Sequence, residues 1–256
     1  MKDMGFNTLR KHIKVEPEIF YYACDKLGML VFQDMVNNSD YSYLRDTVLP
    51  TIGKQKSNDR KMHKNPESRK AFLAGMEATV RQLKNHPCIV YWTIFNEGWG
   101  QFDSDNVYHY LRDLDDTRFI DSTSGWFRRK ETDIDSRHIY FGPWGQLKPS
   151  KKPLVLSEFG GHCYAVENHL FNPEKAYGYK TCKSQEELRA SLNELYRERI
   201  IANIPKGLCG AILTQVSDVE DEINGLMTYD REIAKVDSVR MRAIARQLTS
   251  AIDTIE

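Results

Sequence analysis

The chain has 256 residues, of which 41% are hydrophobic and 28% charged, enough for one large α/β domain or two small ones. Lysine plus arginine and aspartate plus glutamate both number 36, so the formal charge is zero and no nucleic-acid or anionic-membrane partner is expected. No apolar run approaches the ~18–20 residues that a membrane-spanning helix requires.

Strand-like and helix-like segments alternate along the chain. Seven strands are predicted, at Phe6–Arg10, Met29–Asp34, Cys88–Glu97, Arg118–Ser122, Arg137–Phe141, Pro153–Glu158 and Leu208–Gln215. Helices are predicted between them, from about Pro17 to Gly28, Pro66 to Lys84, Ser104 to Leu114, Gln185 to Asn203, and from Val236 onward. Their starts carry capping signals, such as Asn65 before Pro66 and the capping box Ser184–Glu187.

This alternation favours an α/β fold with a parallel sheet covered by helices. A doubly wound sheet normally carries a glycine-rich phosphate loop after its first strand, and residues 6–16 contain none. We therefore predict a (β/α)8 TIM barrel. Because only seven strands are counted, the first barrel strand is expected to be missing from this chain.

Two of the predicted strands end at a glutamate with a glycine close behind it. Cys88–Glu97 and Pro153–Glu158 are apolar and β-branched up to that residue, as buried parallel strands are, and a charge rarely ends such a strand by chance. In a barrel the carboxyl ends of the strands form the floor of the active site. Two carboxylates facing each other there are the arrangement that glycoside hydrolysis uses.

Tryptophans follow the predicted strands near these glutamates. Trp99, Trp126 and Trp144 each lie in a loop after a strand, where an indole can pack on the flat C–H face of a sugar. Packing inside the protein is the competing interpretation for each of them.

Other chemistries have weaker signals. The seven histidines show no metal-binding spacing, so a metal-dependent hydrolase is disfavoured, and no metal or cofactor is expected. The acidic stretch Asp218–Glu222 suits a hydroxyl or a cation, but a solvated loop is the preferred interpretation. The five cysteines are odd in number and scattered, which predicts free thiols and no disulfide framework.

Five segments carry a resemblance to a known family. Asn85–Glu97 resembles the acid/base strand of glycoside hydrolase family 2, which includes β-galactosidases, β-glucuronidases and β-mannosidases, and Ser157–Gly161 resembles its nucleophile strand. Gly5–His12 is similar to its second barrel strand, and Thr214–Gln215 with Gly225–Arg231 to its last strand and loop. The resemblance spans essentially the whole chain and implies a retaining β-glycosidase.

The resemblance also implies roles for individual residues. Glu97 would be the general acid/base and Glu158 the nucleophile, with the carboxyl groups about 5–5.5 Å apart, as in retaining enzymes. Asn96 would bind the sugar 2-hydroxyl, and Tyr140 would donate a hydrogen bond to Glu158. From its place at a strand end, Arg10 could keep Glu158 ionised, with an ion pair inside the barrel as the alternative. His12 and His138 are weaker candidates for sugar hydroxyls, and for at least one of them a core position is the preferred interpretation. The residues so assigned are Glu97, Glu158, Asn96, Arg10, Tyr140, His12 and His138.

The family's catalytic barrel normally follows β-sandwich domains. The sequence contains neither these domains nor a strand before Gly5, so residues 1–256 are expected to be a single catalytic barrel domain truncated at its N-terminus. An open seam predicts self-association, and the alternative hypothesis is an inactive barrel that at most binds carbohydrate.

A neutral β-hexoside is the favoured substrate. The first residues contain no signal segment, and localisation is left open.

Overall fold

The computed structural model describes residues 1–37, 42–44, 48–49, 59–140, 147 and 150–254. These residues fall into two compact units. The N-terminal unit is Asn7–His138, and the C-terminal unit is Met1–Phe6 with Ile139–Glu256.

The N-terminal unit contains a four-stranded parallel sheet in the order in which its strands occur in the chain. The strands are β1 (Thr8–Lys11), β2 (Leu30–Asp34), β3 (Ile89–Asn96) and β4 (Phe119–Ser124). A fifth strand, β5 (Asp135–Ile139), contains the last residues of this unit and Ile139 of the other. The helices are α1 (Glu18–Leu27), α2 (Pro66–Leu83) and α3 (Ser104–Leu114). One of these helices lies in each of the three connections between consecutive strands of the sheet. The predicted alternation of strand and helix and the parallel pairing are therefore confirmed here.

Side-chain caps set the starts of these helices. Asn65 accepts hydrogen bonds from the backbone of Glu67 and Ser68, at 3.0 and 3.2 Å, and Pro66 occupies the first position, as predicted. Helix α3 begins differently, because Asp103 makes no capping bond with its side chain. The buried carboxylate of Asp59 instead accepts from the backbone N–H and hydroxyl of Ser104, at 3.2 and 2.5 Å.

The C-terminal unit is built around the parallel pair β6 (Leu154–Gly160) and β9 (Leu208–Thr214). Two short strands, β7 (His162–Cys163) and β8 (Lys180–Thr181), pair in parallel after β6. Helices α4 (Gln185–Leu195) and α5 (Ser238–Asp253) supply apolar side chains to its core. That core includes Leu156, Phe159, Leu188, Leu192 and Met241. Burial of one such side chain contributes about 1.5–3 kcal/mol.

Three details of this unit differ from the sequence-based predictions. The strand that carries Glu158 does not end there but continues to Gly160. The helix predicted to reach Asn203 ends at Leu195 and continues as a π-helical turn, Tyr196–Ile200, and a 3-10 segment, Ile201–Lys206. The two-residue strands β7 and β8 were not predicted, because they are too short for any periodicity.

The predicted α/β class with parallel pairing is thus confirmed within each unit. Closure of an eight-stranded barrel, the single-domain organisation and the missing first strand stay predictions. All five cysteines are free thiols, as predicted. Among the described helices, none combines the length and the apolar character needed to cross a membrane.

Candidate active site

Glu97 lies directly after β3, at a turn in the chain. Its φ is +52°, and its backbone N–H donates to the carbonyl of Ser124 at 2.9 Å. The N–H of Trp99 donates to the carbonyl of Asn96 at 2.8 Å, which closes the turn. A positive φ is uncommon outside glycine and is frequent at functional sites. The buried strand and this turn together hold the Glu97 carboxyl group at the carboxyl end of β3.

His138 holds the Glu97 carboxyl group. Its side chain is fully buried, and its Nδ1 lies 2.7 Å from Oε1 of Glu97. Its Nε2 lies 2.9 Å from the hydroxyl of Ser124 and 3.4 Å from Nη1 of Arg10. Because a guanidinium group can only donate, Nε2 must accept. In the neutral imidazole the proton therefore sits on Nδ1 and faces Glu97.

A glycine allows this close approach of His138. Gly125 has a φ of +81°, and a Cβ atom there would lie 2.6 Å from ring atoms of His138. Any other residue would push the imidazole away from Glu97 or would strain the turn after β4.

Arg10 connects the remaining polar residues of the N-terminal unit. It forms a paired ion bridge with Asp34, at 3.0 and 2.9 Å, and both side chains are almost fully buried. It also donates to Oδ1 of Asn96 at 2.9 Å. The amide nitrogen of Asn96 lies 3.1 Å from Nε2 of the exposed His12. Asn96 is thus oriented by a charged group on one side and an imidazole on the other.

The charge of Arg10 also acts on a buried carboxyl group. Asp121 on β4 accepts from the hydroxyl of Tyr91 at 2.8 Å. Burial raises the pKa of Asp121, while hydrogen bonds from Ser136 and Tyr91 and the charge of Arg10 oppose that rise. The charge state of Asp121 therefore depends on these hydrogen bonds and on Arg10.

The second group of polar residues surrounds Glu158 in the C-terminal unit. The register of the β6–β9 pair shifts between Leu156 and Phe159, so Glu158 lies at an irregularity of the ladder. Such irregularities re-aim a side chain. The hydroxyl of Tyr140 donates to Oε2 of Glu158 and also lies 3.1 Å from the hydroxyl of Thr214, the last residue of β9.

The predicted tryptophans have different outcomes. Trp99 and Trp126 are partly buried in the loops after β3 and β4, positions compatible with either a sugar platform or packing. Trp144 lies outside the described residues. The fourth tryptophan, Trp92, belongs to the core, where its indole N–H donates to Asp115 at 2.9 Å.

The N-terminal unit thus brings together Glu97, Asn96, His138, Arg10 and His12, and the C-terminal unit brings together Glu158 and Tyr140. Sequence reasoning missed Asp34, Ser124 and Thr214 as members of these groups. Asp34 ends a predicted strand, which is the same signal that pointed to the two glutamates. The two hydroxyl residues carry no signal that separates them from other strand-end residues.

The acidic stretch Asp218–Glu222 is not uniformly a solvated loop, which corrects the preferred interpretation. Asp218 is buried and accepts from the fully buried Lys235 at 2.6 Å. Burial raises the pKa of Asp218 and lowers the pKa of Lys235, while their mutual hydrogen bond opposes both shifts. This pair ties the loop after β9 to the protein interior.

One histidine–carboxylate cluster lies in the loops of the C-terminal unit. A ring nitrogen of His169 and carboxylate oxygens of Asp230 and Glu232 lie within 4.8 Å of one another. The carboxyl group of Asp230 already accepts from Thr228, from His169 and from the backbone of Glu232, and its pKa is lowered to about 2, chiefly by the Thr228 hydroxyl. These bonds fix the Asp230 carboxylate next to the His169 ring.

Comparisons with known proteins agree with the fold class. The family model described as "Glycosyl hydrolases family 2, TIM barrel domain" matches residues 1–235. The chain therefore belongs to glycoside hydrolase family 2 and represents its TIM barrel domain.

Curated relatives include β-galactosidases. That of Klebsiella pneumoniae is 27% identical over 188 residues, which cover 67% of this chain and 16% of the relative. That of Yersinia enterocolitica is 29% identical over 175 residues, covering 62% and 15%. The matched part thus corresponds to about one sixth of these relatives.

Solved structures share the fold. A family 2 β-galacturonidase from Eisenbergiella tayi, bound to galacturonate, has a TM-score of 0.63 at 18% identity and covers 97% of this chain and 45% of its own. A β-D-glucuronidase from Dictyoglomus thermophilum has a TM-score of 0.63 at 15% identity, covering 97% and 45%. At such identities the likeness concerns the fold alone.

Proposed function

We propose that this barrel hydrolyses β-glycosidic bonds at a non-reducing-end sugar by a retaining mechanism with two glutamates. The observation that carries the proposal is that Glu97, directly after β3, and Glu158, on β6, are held by hydrogen-bond partners of different chemistry. His138 holds Glu97, and Tyr140 holds Glu158. Membership of the family supports the reaction class.

Glu158 is the proposed nucleophile. Its carboxylate attacks the anomeric carbon, a C–O bond to Glu158 forms, and the bond to the leaving oxygen breaks. The Tyr140 phenol donates to Oε2, which favours the ionised carboxylate and fixes its orientation. Oε1 is then the oxygen that attacks.

Glu97 is the proposed acid/base. In the first step it gives its proton to the leaving oxygen, and in the second it takes a proton from the water that attacks the glycosyl-enzyme. Nδ1–H of His138 donates to Oε1, so Oε2 would be the oxygen that carries the transferred proton. Because His138 is buried, we assign it to orienting Glu97 and not to binding a sugar hydroxyl.

The other predicted residues are assigned to the sugar. We propose that Asn96, oriented by Arg10, presents its amide nitrogen to the 2-hydroxyl, and that the exposed His12 binds a neighbouring hydroxyl. A contact to the 2-hydroxyl strengthens in the transition state. Trp99, Trp126 and Trp144 are assigned to platforms for the sugar and the leaving group.

A neutral β-hexoside, with a β-galactoside tested first, is the proposed substrate class. The relatives that support a galactoside are the β-galactosidases matched in sequence. The structural neighbours act on uronic acids, so glucuronides and galacturonides form the comparison set.

The test is intact mass spectrometry after incubation with activated 2-deoxy-2-fluoro β-glycosides of galactose, glucose, mannose and glucuronic acid. One added sugar, mapped to Glu158 and absent from Glu158→Gln, is the expected result, and the sugar that labels fastest identifies the substrate class. A folded protein that takes up no sugar from any member of the panel would support the alternative of an inactive barrel. A sugar mapped to another residue would remove Glu158 from the role of nucleophile.

A further inference from the structure

Tyr140 needs support from outside its own strand. It follows β5, which ends at Ile139, so the sheet does not restrain its side chain directly. Its hydroxyl contacts Glu158 and Thr214, which fix the tip of the ring but not its plane. The direction of the phenol hydrogen bond depends on that plane, because the ring can pivot about its hydroxyl end.

Tyr179 supplies a surface for the ring plane. Its ring stacks on that of Tyr140, with centroids 4.3 Å apart and the planes inclined by 17°. Stacked aromatic pairs gain free energy beyond their buried area. Tyr179 lies about 20 residues after Glu158 in the chain, in the segment that leads into β8, and no sequence pattern singled it out.

Tyr179 is itself anchored next to the strand that carries Glu158. Its backbone N–H donates to the carbonyl of Gly161 at 2.9 Å. Gly161 has a φ of +70°, and a Cβ atom there would lie 2.1 Å from the Tyr179 ring. Only glycine lets this ring sit against the chain that leaves β6.

A second anchor comes from the loop after β9. The backbone of Tyr177 donates to the carbonyl of Asp221 and accepts from the N–H of Ile223, both at 2.8 Å. Asp218 and Lys235 tie the same loop to the interior through their buried ion pair. The segment that carries Tyr179 is therefore hydrogen-bonded both to Gly161, after β6, and to the loop after β9. These bonds restrict movement of the Tyr179 ring away from Tyr140.

We propose that Tyr179 is a positioning residue for the glycosylation step, whose ring holds the plane of Tyr140 so that its phenol donates to Glu158. The inference rests on the proposed role of Glu158 as nucleophile. The aromatic ring carries the effect and the Tyr179 hydroxyl does not, since the contact is a stack between ring faces. This separates the role from substrate binding by the hydroxyl.

The test compares Tyr179→Ala with Tyr179→Phe, each in the wild-type and Tyr140→Phe backgrounds. Tyr179→Phe keeps the ring and should stay within about twofold of wild type in kcat/KM for an activated aryl glycoside. Tyr179→Ala should lose about tenfold, or about 1.4 kcal/mol of transition-state stabilisation. Its acidic limb should move to higher pH, because a weakened phenol bond favours the ionised carboxylate less.

The double variants decide whether the effect passes through Tyr140. In the Tyr140→Phe background, Tyr179→Ala should change kcat/KM by less than about twofold, since no phenol remains to be oriented. Equal losses in both backgrounds, or a loss in Tyr179→Phe as large as in Tyr179→Ala, would overturn the proposal. Should Tyr179→Ala fail to fold, Tyr179→Leu removes the flat ring with less loss of volume and carries the same expectations.

A readout without turnover keeps this test separate from the proposed function. With tyrosines labelled by 13C at Cζ, the resonance of Tyr140, assigned through Tyr140→Phe, should show a pH step that Glu158→Gln abolishes. The step should move to higher pH in Tyr179→Ala and stay in place in Tyr179→Phe. An unmoved step would refute the positioning role even if no glycoside is hydrolysed, whereas a moved step in a protein that takes up no fluoro-sugar would refute only the proposed function.

Discussion

The two glutamates are held in chemically different ways. Glu97 faces an imidazole, a group that can give or take a proton, and this imidazole is backed by Arg10 and Ser124. Glu158 faces a phenol that is backed by a threonine hydroxyl and an aromatic stack. The two carboxyl groups thus have partners of different chemistry, an imidazole nitrogen for Glu97 and a phenolic hydroxyl for Glu158.

This difference matches the division of work in a retaining glycosidase. The acid/base must change its protonation state twice in each cycle, whereas the nucleophile must start ionised and carry the sugar. Surroundings that push two carboxyl groups toward different roles identify which is which. The hydrogen-bond partners therefore support the proposed roles of Glu97 and Glu158, independently of the resemblance between strand motifs.

The largest effect is expected for Glu158→Gln. Without a nucleophile no glycosyl-enzyme can form, so kcat should fall by on the order of 10⁴-fold or more for every leaving group. Steady-state kinetics with aryl glycosides checks this, and Glu174→Gln, an exposed glutamate in the loop after β7, is the matched control. Substantial residual turnover with retention of configuration would reverse the comparison and point to another nucleophile.

Glu97→Gln should depend on the leaving group. Alkyl glycosides need protonation of the departing oxygen and should slow by about 10²–10⁴-fold, while dinitrophenyl glycosides should lose little in the first step. Added azide should restore turnover of the activated substrate, because an anionic nucleophile needs no general base. Equal losses for good and poor leaving groups would contradict the acid role.

The buried ion pair between Asp218 and Lys235 offers a test through the free energy of unfolding. Lys235→Met leaves the buried Asp218 without its cation and should lower the free energy of unfolding by about 3–5 kcal/mol. Burial opposes the charge on both partners, raising the pKa of Asp218 and lowering that of Lys235, so the pair itself adds little net stability. Asp218→Asn combined with Lys235→Met should therefore recover more than half of the loss.

Urea unfolding monitored by fluorescence measures these changes. Lys130→Met, at an exposed lysine, is the control and should change the free energy of unfolding by less than about 0.5 kcal/mol. If the double variant is no more stable than Lys235→Met alone, the Asp218 charge is not the source of the loss. In that case the loop after β9 is held by contacts other than this pair.

The sequence predicted those parts of the fold that leave a continuous local pattern. The run Ile89–Phe95 is apolar because the strand is buried on both faces, and it led directly to Asn96 and Glu97. The end of α4 could not be predicted in this way. Buried residues such as Leu195, Tyr196, Ile200 and Ile204 keep recurring past it, so apolar periodicity does not separate α-helix from the π and 3-10 turns that follow.

The candidate site was predicted only in part, because its partners are distant in the chain. His138 lies 41 residues from Glu97, and its ring packs closely against Gly125 and lies within hydrogen-bond distance of Ser124. Nothing in the spacing of these residues shows that they meet. Asp34 is different, because it ends a predicted strand as Glu97 does. The rule that a charged residue at the end of a buried strand marks a site would have included Asp34 as well.

The smallest effect is expected at His162, a partly buried histidine, and it sharpens the contrast with His138. His162 follows Gly161 and contacts the hydroxyl of Ser191 at 2.9 Å, and no carboxylate appears among its hydrogen-bond partners in the part of the chain that the structure describes. Burial lowers the pKa of His162 to about 4. Its neutral form therefore belongs to the folded state, whereas the unfolded chain takes up a proton near pH 6.5.

The sign of the pH effect follows from these two values. Between about pH 6.5 and about pH 4 the unfolded state binds up to about one proton more than the folded state at this residue, so stability is lost as the pH falls through that window. His162→Gln keeps a polar partner for Ser191 and removes this titration, so the variant should lose less unfolding free energy than the wild type as the pH falls from 7.5 to 5.0. Urea unfolding at pH 7.5, 6.0 and 5.0 measures the difference. Parallel pH profiles for the two proteins would mean that His162 takes up its proton in the folded state too, and that burial without a carboxylate does not keep this imidazole neutral.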